Sequence, residues 1–150
     1  MLKSKKSNTI RELIAAAPDL SPFEQVIDQL LSEFYDNGAS IIIDSRRISS
    51  YLAQTPFNSR TRNFELFIGV RDRKTGLNIL WSIFHEYGHL IQDRPTGEEL
   101  IEGTNAKYLR EIDAWDKAQK RVLEFDNLIP YFDNFKIYRS TCTSSYKVEQ

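Results

Sequence analysis

Residues 78–92, NILWSIFHEYGHLIQ, constrain the fold more than any other stretch of the chain. At 3.6 residues per turn, Ile79, Ile83 and Leu90 fall on one flank of a helix and Leu80, Phe84 and Ile91 on the other. A helix apolar on both flanks has no face left for solvent, so it must run through the middle of a fold. Between the flanks lies a mostly polar or small stripe of Asn78, Trp81, Ser82, His85, Gly88, His89 and Gln92. Polar groups in that position need partners, because unpaired burial costs roughly 1–3 kcal/mol per group. Gly88 weakens the helix by about 1 kcal/mol relative to alanine. Its presence points to close approach of another backbone or of the surroundings of a bound ion.

Within the stripe, residues 85–89 read His-Glu-Tyr-Gly-His. Two histidines four apart on a helix differ by about 40° around the axis and about 6 Å along it, so both imidazoles reach one ion. Glu86 sits about a quarter-turn away, badly placed as an equal ligand and well placed to take a proton from a water at the metal. This is the HExxH pattern of a zinc metallopeptidase, which independent draws at this chain's residue frequencies produce about once in five hundred such chains. The chain has two histidines, and both are in this motif.

A catalytic zinc usually has three protein ligands and one open position. With no third histidine, the remaining ligand is a carboxylate or Cys142. The metzincin extension fails, since Gln92 and Pro95 stand where glycine and histidine are needed. The candidates are Glu98, Glu99, Glu102, Glu111 and Asp113. In a helix expected over residues 105–125, Glu111 shares its face with Ala114, Trp115, Ala118, Val122 and Phe125. Asp113 shares its face with Arg110, Asp116, Lys117 and Lys120, a solvated set. A carboxylate at the head of an apolar face requires a cation, which favours Glu111; one of the loop glutamates at 98, 99 and 102 remains a competitor. Cys142 has no histidine left to activate it as a nucleophile and reads as a spectator thiol.

The rest of the 150 residues fits one domain, with residues 1–8 and about 140–150 expected as flexible tails. Thr9 with Glu12 suggests a capping box opening a helix that Pro18 closes. Ser21, Pro22 and Glu24 suggest a second start, after which Phe23, Val26, Ile27, Leu30, Leu31 and Phe34 recur at helical spacing until Asn37-Gly38. Ile41, Ile42 and Ile43 predict a buried strand over 40–44. Alternation of Phe64, Leu66, Ile68 and Val70 predicts another over 63–71, whose edge could accept an extended peptide. Residues 45–62 read as loop, Lys74-Thr75-Gly76 as a turn, and the aromatic stretch after Pro130 carries strand-like pieces with no settled assignment. A net charge of −1 encodes no general attraction to nucleic acid or anionic lipid, and no apolar run is long enough to span a bilayer. A single cysteine and the absence of an apolar leader suit a cytoplasmic setting.

His85-Glu86-Tyr87-Gly88-His89 followed by Glu111-Ile112-Asp113-Ala114 resembles the gluzincin metallopeptidases, with HExxH and a downstream ExxA. Within that group the chain is most similar to the compact ImmA/IrrE-type domain, over residues 78–118. It departs from that pattern in carrying Trp115 and Lys117 after the ExxA. The resemblance implies an α+β, zincin-like fold in which a small antiparallel or mixed sheet accompanies the HExxH helix and a glutamate-bearing helix. It implies one zinc ion held by His85, His89 and Glu111, with Glu86 as general base accepting a proton from the water that attacks the scissile carbonyl. It further implies a protein or peptide substrate, such as a transcriptional repressor or another regulatory protein. Tyr108, Tyr131 and Tyr138 are candidates for support of the oxyanion. The rival is a zinc-binding interaction module without turnover; an intact Glu86 argues against it, since a structural site has no need of that residue.

Overall fold

The computed structural model describes residues 2–55, 60–71 and 75–146. Helix α1 (Leu2–Ala16) leads through a 3₁₀ turn (Pro18–Phe23) to α2 (Glu24–Asp36). Strands β1 (Ser40–Asp44), β2 (Tyr51–Gln54) and β3 (Phe64–Gly69) precede α3 (Gly76–Leu90). A second 3₁₀ turn (Glu98–Leu100), α4 (Asn105–Val122), a third 3₁₀ turn (Asp126–Tyr131) and α5 (Phe132–Thr143) complete an α+β arrangement.

The apolar flanks of α3 do place it at the centre. Leu80, Trp81, Ile83 and Phe84 are fully buried, with α4, α5 and the inner face of the sheet around them. The helix ends two residues earlier than its pattern, and Ile91 escapes to the surface. In α2 the residues at helical spacing, Val26 to Phe34, are buried as expected, and Gly38 ends the helix region with φ +80°, a conformation glycine adopts without a Cβ penalty.

The three strands form one mixed sheet in the order β1-β3-β2, with β1 parallel and β2 antiparallel to β3. Phe64, Leu66 and Ile68 of β3 point into the core, as the alternation predicts. Two expectations change here. The isoleucine strand is an edge rather than a buried strand, with Ile42 43% exposed. The segment expected as loop contains β2, which is only four residues long and gives little periodic signal. Because β3 is paired on both sides, it has no edge to offer a peptide.

Both termini depart from the sequence reading. Residues 2–8 are the first turns of α1, not a tail, and Lys6 ties them to α2 through Ser32 Oγ (2.8 Å) and Asp28 (3.2 Å). No capping box forms at Thr9, because the helix continues upstream. Its hydroxyl donates to the Lys5 carbonyl at 2.9 Å and lies 2.8 Å from the Tyr35 hydroxyl. Ser21 likewise caps nothing; Pro22 lies inside a 3₁₀ turn stabilised by buried Leu20 and Phe23. At the other end, Phe132, Phe135, Tyr138 and Cys142 recur at helical spacing on α5 and pack on the core, and Tyr146 packs there beyond it. Their period is therefore three to four residues, which replaces both the strand-like reading and the flexible tail as far as residue 146. The turn expected at Lys74 begins outside the described residues.

Candidate metal centre

Helices α3 and α4 meet at Gly88. A Cβ built there would run into the backbone of Ala114, 2.8 Å from its carbonyl carbon and 3.0 Å from its Cα. Only glycine permits so close an approach, and the approach brings the residues flanking Ala114 against the two histidines. Glu111, one turn before Ala114, puts Oε2 3.1 Å from His85 Nε2 and 3.0 Å from His89 Nε2. Trp115, the next residue after Ala114, lies flat on the His85 ring with centroids 4.2 Å apart and planes 8° from parallel. Glu111 Oε1 faces Lys107 Nζ at 3.2 Å, one turn earlier on α4.

Ligand-type atoms of His85, His89 and Glu111 thus lie within 4.8 Å of one another, the one such group of three among the described residues. The donor set suits a divalent metal: two imidazole nitrogens and a carboxylate oxygen. Separations of 3.0 and 3.1 Å are near the roughly 3.3 Å between ligands of a tetrahedral ion with bonds of 2.0–2.1 Å. His85 Nε2 is buried and, despite its proximity to Glu111, makes no hydrogen bond of acceptable angle. A buried nitrogen 3.1 Å from a carboxylate and without a hydrogen bond to it fits a cation placed between the two.

Glu86 is 5% exposed and stands beside the group. The Leu52 backbone N–H of β2 donates to Glu86 Oε1 at 2.8 Å, and Glu86 Oε2 lies 3.1 Å from His85 Nδ1. These neighbours set the charge states. Burial works against protonation of His85, yet the carboxylates of Glu111 and Glu86 outweigh it and raise its pKa to about 9. Burial acts to raise Glu111, and the two imidazoles override it, holding its carboxyl far below the ordinary range.

The competing carboxylates are elsewhere. Glu99 accepts from the Thr96 N–H at 2.8 Å, Glu102 is solvated near Lys107, and Asp113 pairs with Lys117 at 2.8 Å. Cys142 lies on α5, outside the group. Among the tyrosines, Tyr131 packs edge-on against Phe23, Tyr138 against Trp115 and Tyr108 against Tyr146.

No family model, no curated protein and no solved structure matches the chain. The case rests on the geometry.

Several participants were not legible as such in the sequence. Trp115 was visible only as a residue on the Glu111 face, and Lys107 and Leu52 carried no signal because their roles depend on contacts between elements. Tyr146, whose hydroxyl accepts from Trp115 Nε1 at 2.8 Å, follows Cys142 by four residues and would have been found by extending the helical period. Burial raises the pKa of its phenol, which keeps it protonated.

Proposed function

We propose that the chain is a zinc-dependent peptidase with a zincin-like fold, and that His85, His89 and Glu111 hold the ion while Glu86 is the general base. The observation that carries this reading is the buried Glu86 carboxylate next to a His₂Glu group in which His85 Nε2 is buried without a hydrogen bond. When bound, zinc supplies Lewis-acid polarisation of a water and of the scissile carbonyl. The protein's own part is to aim and to exclude water. Leu52 fixes one oxygen of Glu86, leaving Oε2 as the one that can exchange its His85 contact for a proton from water. Trp115 and Tyr146 wall the His85 side of the site.

The peptide-binding edge belongs to β2 rather than β3. Among the described residues strand β2 is paired on one side only, and its Leu52 N–H points away from β3 to Glu86. By the two-residue period of a strand, the Gln54 N–H and the Leu52 carbonyl face the same way, an edge to which an extended peptide can add. A protein substrate such as a transcriptional repressor, and a cytoplasmic setting, belong to the same proposal. No helix among the described residues is long and apolar enough to cross a membrane.

One observation favours a second reading, a metal-binding interaction module without turnover: both Glu86 oxygens are engaged, by Leu52 and by His85. The deciding experiment compares wild type with Glu86→Gln, both with zinc content measured after purification without chelator, on casein and repressor-type substrates. The peptidase predicts a rate lower by about 10²–10⁴ in the variant with zinc retained. No turnover in zinc-loaded wild type leaves the interaction module, and equal non-zero rates remove Glu86 as the general base.

A further inference from the structure

His89 is held from behind by a residue that the HExxH pattern does not include. Gln92 is 6% exposed, and its Oε1 lies 2.8 Å from His89 Nδ1. Its Nε2 donates to the Arg110 carbonyl at 2.9 Å and to Asp113 Oδ2 at 2.8 Å. Asp113 is in turn paired with Lys117, whose Nζ is 2.8 Å from each of its oxygens.

The chemistry of these partners removes a choice that an amide and an imidazole otherwise have. A primary amide has one accepting end and one donating end, and a neutral imidazole carries its hydrogen on either nitrogen. The Arg110 carbonyl and the Asp113 carboxylate can only accept, so the end of Gln92 that faces them must be the NH₂ group. Its carbonyl end therefore faces His89. A carbonyl only accepts as well, so Nδ1 must carry a hydrogen. On the other side Nε2 lies 3.0 Å from Glu111 Oε2, which also only accepts, so with Nδ1 committed to Gln92 the Nε2 side is completed either by a second hydrogen or by a cation shared with Glu111 that takes the Nε2 lone pair.

We propose that Gln92 is a positioning residue that locks His89 in the Nδ1–H form with Nε2 turned to the metal, and that Arg110 and Asp113 set the direction of the Gln92 amide. The inference rests on the metal-centre reading above. It explains why a polar side chain just past the end of α3 is buried: the chain Asp113–Gln92–His89 ties α4 to α3 and orients one ligand at the same time. His85 Nδ1 is faced instead by Glu86 Oε2 at 3.1 Å, so the two histidines are backed by different groups, a carboxylate and an amide.

The test is zinc affinity by chelator competition, read together with long-range proton–nitrogen spectra of the zinc-loaded protein. Wild type should show a protonated Nδ1 on His89. Gln92→Met keeps the length of the side chain and removes the acceptor, and should bind zinc about 10–100-fold more weakly, the usual effect of losing an outer-shell partner of a metal-bound histidine. The proposal is overturned by zinc-loaded wild type with the His89 hydrogen on Nε2, or by Gln92→Met binding zinc as wild type does. Wild type that binds no zinc at all removes the metal centre itself and this inference with it. In zinc-loaded wild type the His89 Nδ1–H should also be slow to exchange with solvent because Gln92 holds it, and a freely exchanging Nδ1–H overturns the proposal even if a variant fails to fold.

Discussion

Replacing Gly88 by alanine adds one methyl group where α3 meets the backbone of α4. Its Cβ would meet the Ala114 carbonyl oxygen first and would sit 2.8 Å from the carbonyl carbon and 3.0 Å from Ala114 Cα, so reaching an ordinary contact of about 3.5 Å needs a separation of roughly 1 Å or more. All three obstacles are main chain, so no rotamer change can relieve them and the helices themselves must part. Overpacking of this kind costs about 1–3 kcal/mol, here near the upper end. Alanine returns about 1 kcal/mol through its better helix propensity. The net loss is then about 1–2 kcal/mol, a fall in melting temperature of about 2–8 °C for a domain of this size. The effect on metal binding should be larger. Ligand positions tolerate about 0.2 Å, and the displacement carries Glu111 away from both imidazoles, so zinc affinity should drop by at least about 100-fold. Thermal melts of the metal-free protein and zinc competition against a fluorescent chelator measure the two parts. A Gly88→Ala protein that melts at or above the wild-type temperature and binds zinc equally well would refute the idea that this contact sets the site.

Two further perturbations test the surroundings of His85. Folded His85 holds its proton up to about pH 9, whereas an unfolded histidine releases it near pH 6.5, so the stabilisation is complete below pH 6.5 and is lost as pH rises through 9. The metal-free protein, kept in chelator, should therefore melt progressively lower from pH 6.5 to above pH 9; a flat or rising melting temperature across that window contradicts the assignment. Trp115 is 1% exposed and stacked on His85, so Trp115→Ala should cost about 3–5 kcal/mol. Trp115→Phe keeps a ring on His85 and gives up mainly the hydrogen bond to Tyr146, so it should cost about half as much. Equal destabilisation by the two substitutions in denaturant melts would show that the ring contact contributes nothing.

Local periodicity carried what it could. The spacing of His85 and His89, the two apolar flanks of α3 and the position of Glu111 on an apolar face are properties of a helix with itself, and 3.6 residues per turn is enough to read them. What the sequence hid depends on which elements meet. Thr9 and Ser21 have the local form of helix caps, yet α1 starts earlier and a 3₁₀ turn intervenes before α2, so neither serves as one. Gln92 was legible as a polar member of the stripe around His85 that needs a partner, and as the residue that breaks a metzincin pattern, but its partners Arg110 and Asp113 are on another helix and gave no local signal. Strand β2 is short and set among polar residues, and its Leu52 N–H matters only once α3 brings Glu86 within 2.8 Å.

A common requirement joins these pieces. Each ligand of the proposed centre has a separate group behind it: Glu86 and Trp115 for His85, Gln92 for His89, and Lys107 for Glu111. The two carboxylates, Glu86 and Glu111, are largely buried with one ammonium group, Lys107, so the pocket is short of one positive charge. Two buried carboxylates do not persist with a single counter-charge. In the metal-free chain the raised pKa of His85 meets that deficit with a proton. A divalent cation at the same place meets it as well, and it cannot do so while His85 Nε2 is protonated, because a ligand nitrogen must present its lone pair. In the proposed centre proton and metal are therefore alternative occupants of one electrostatic role, and the buried carboxylates that draw a proton to His85 in the metal-free chain are the groups that would draw a cation there.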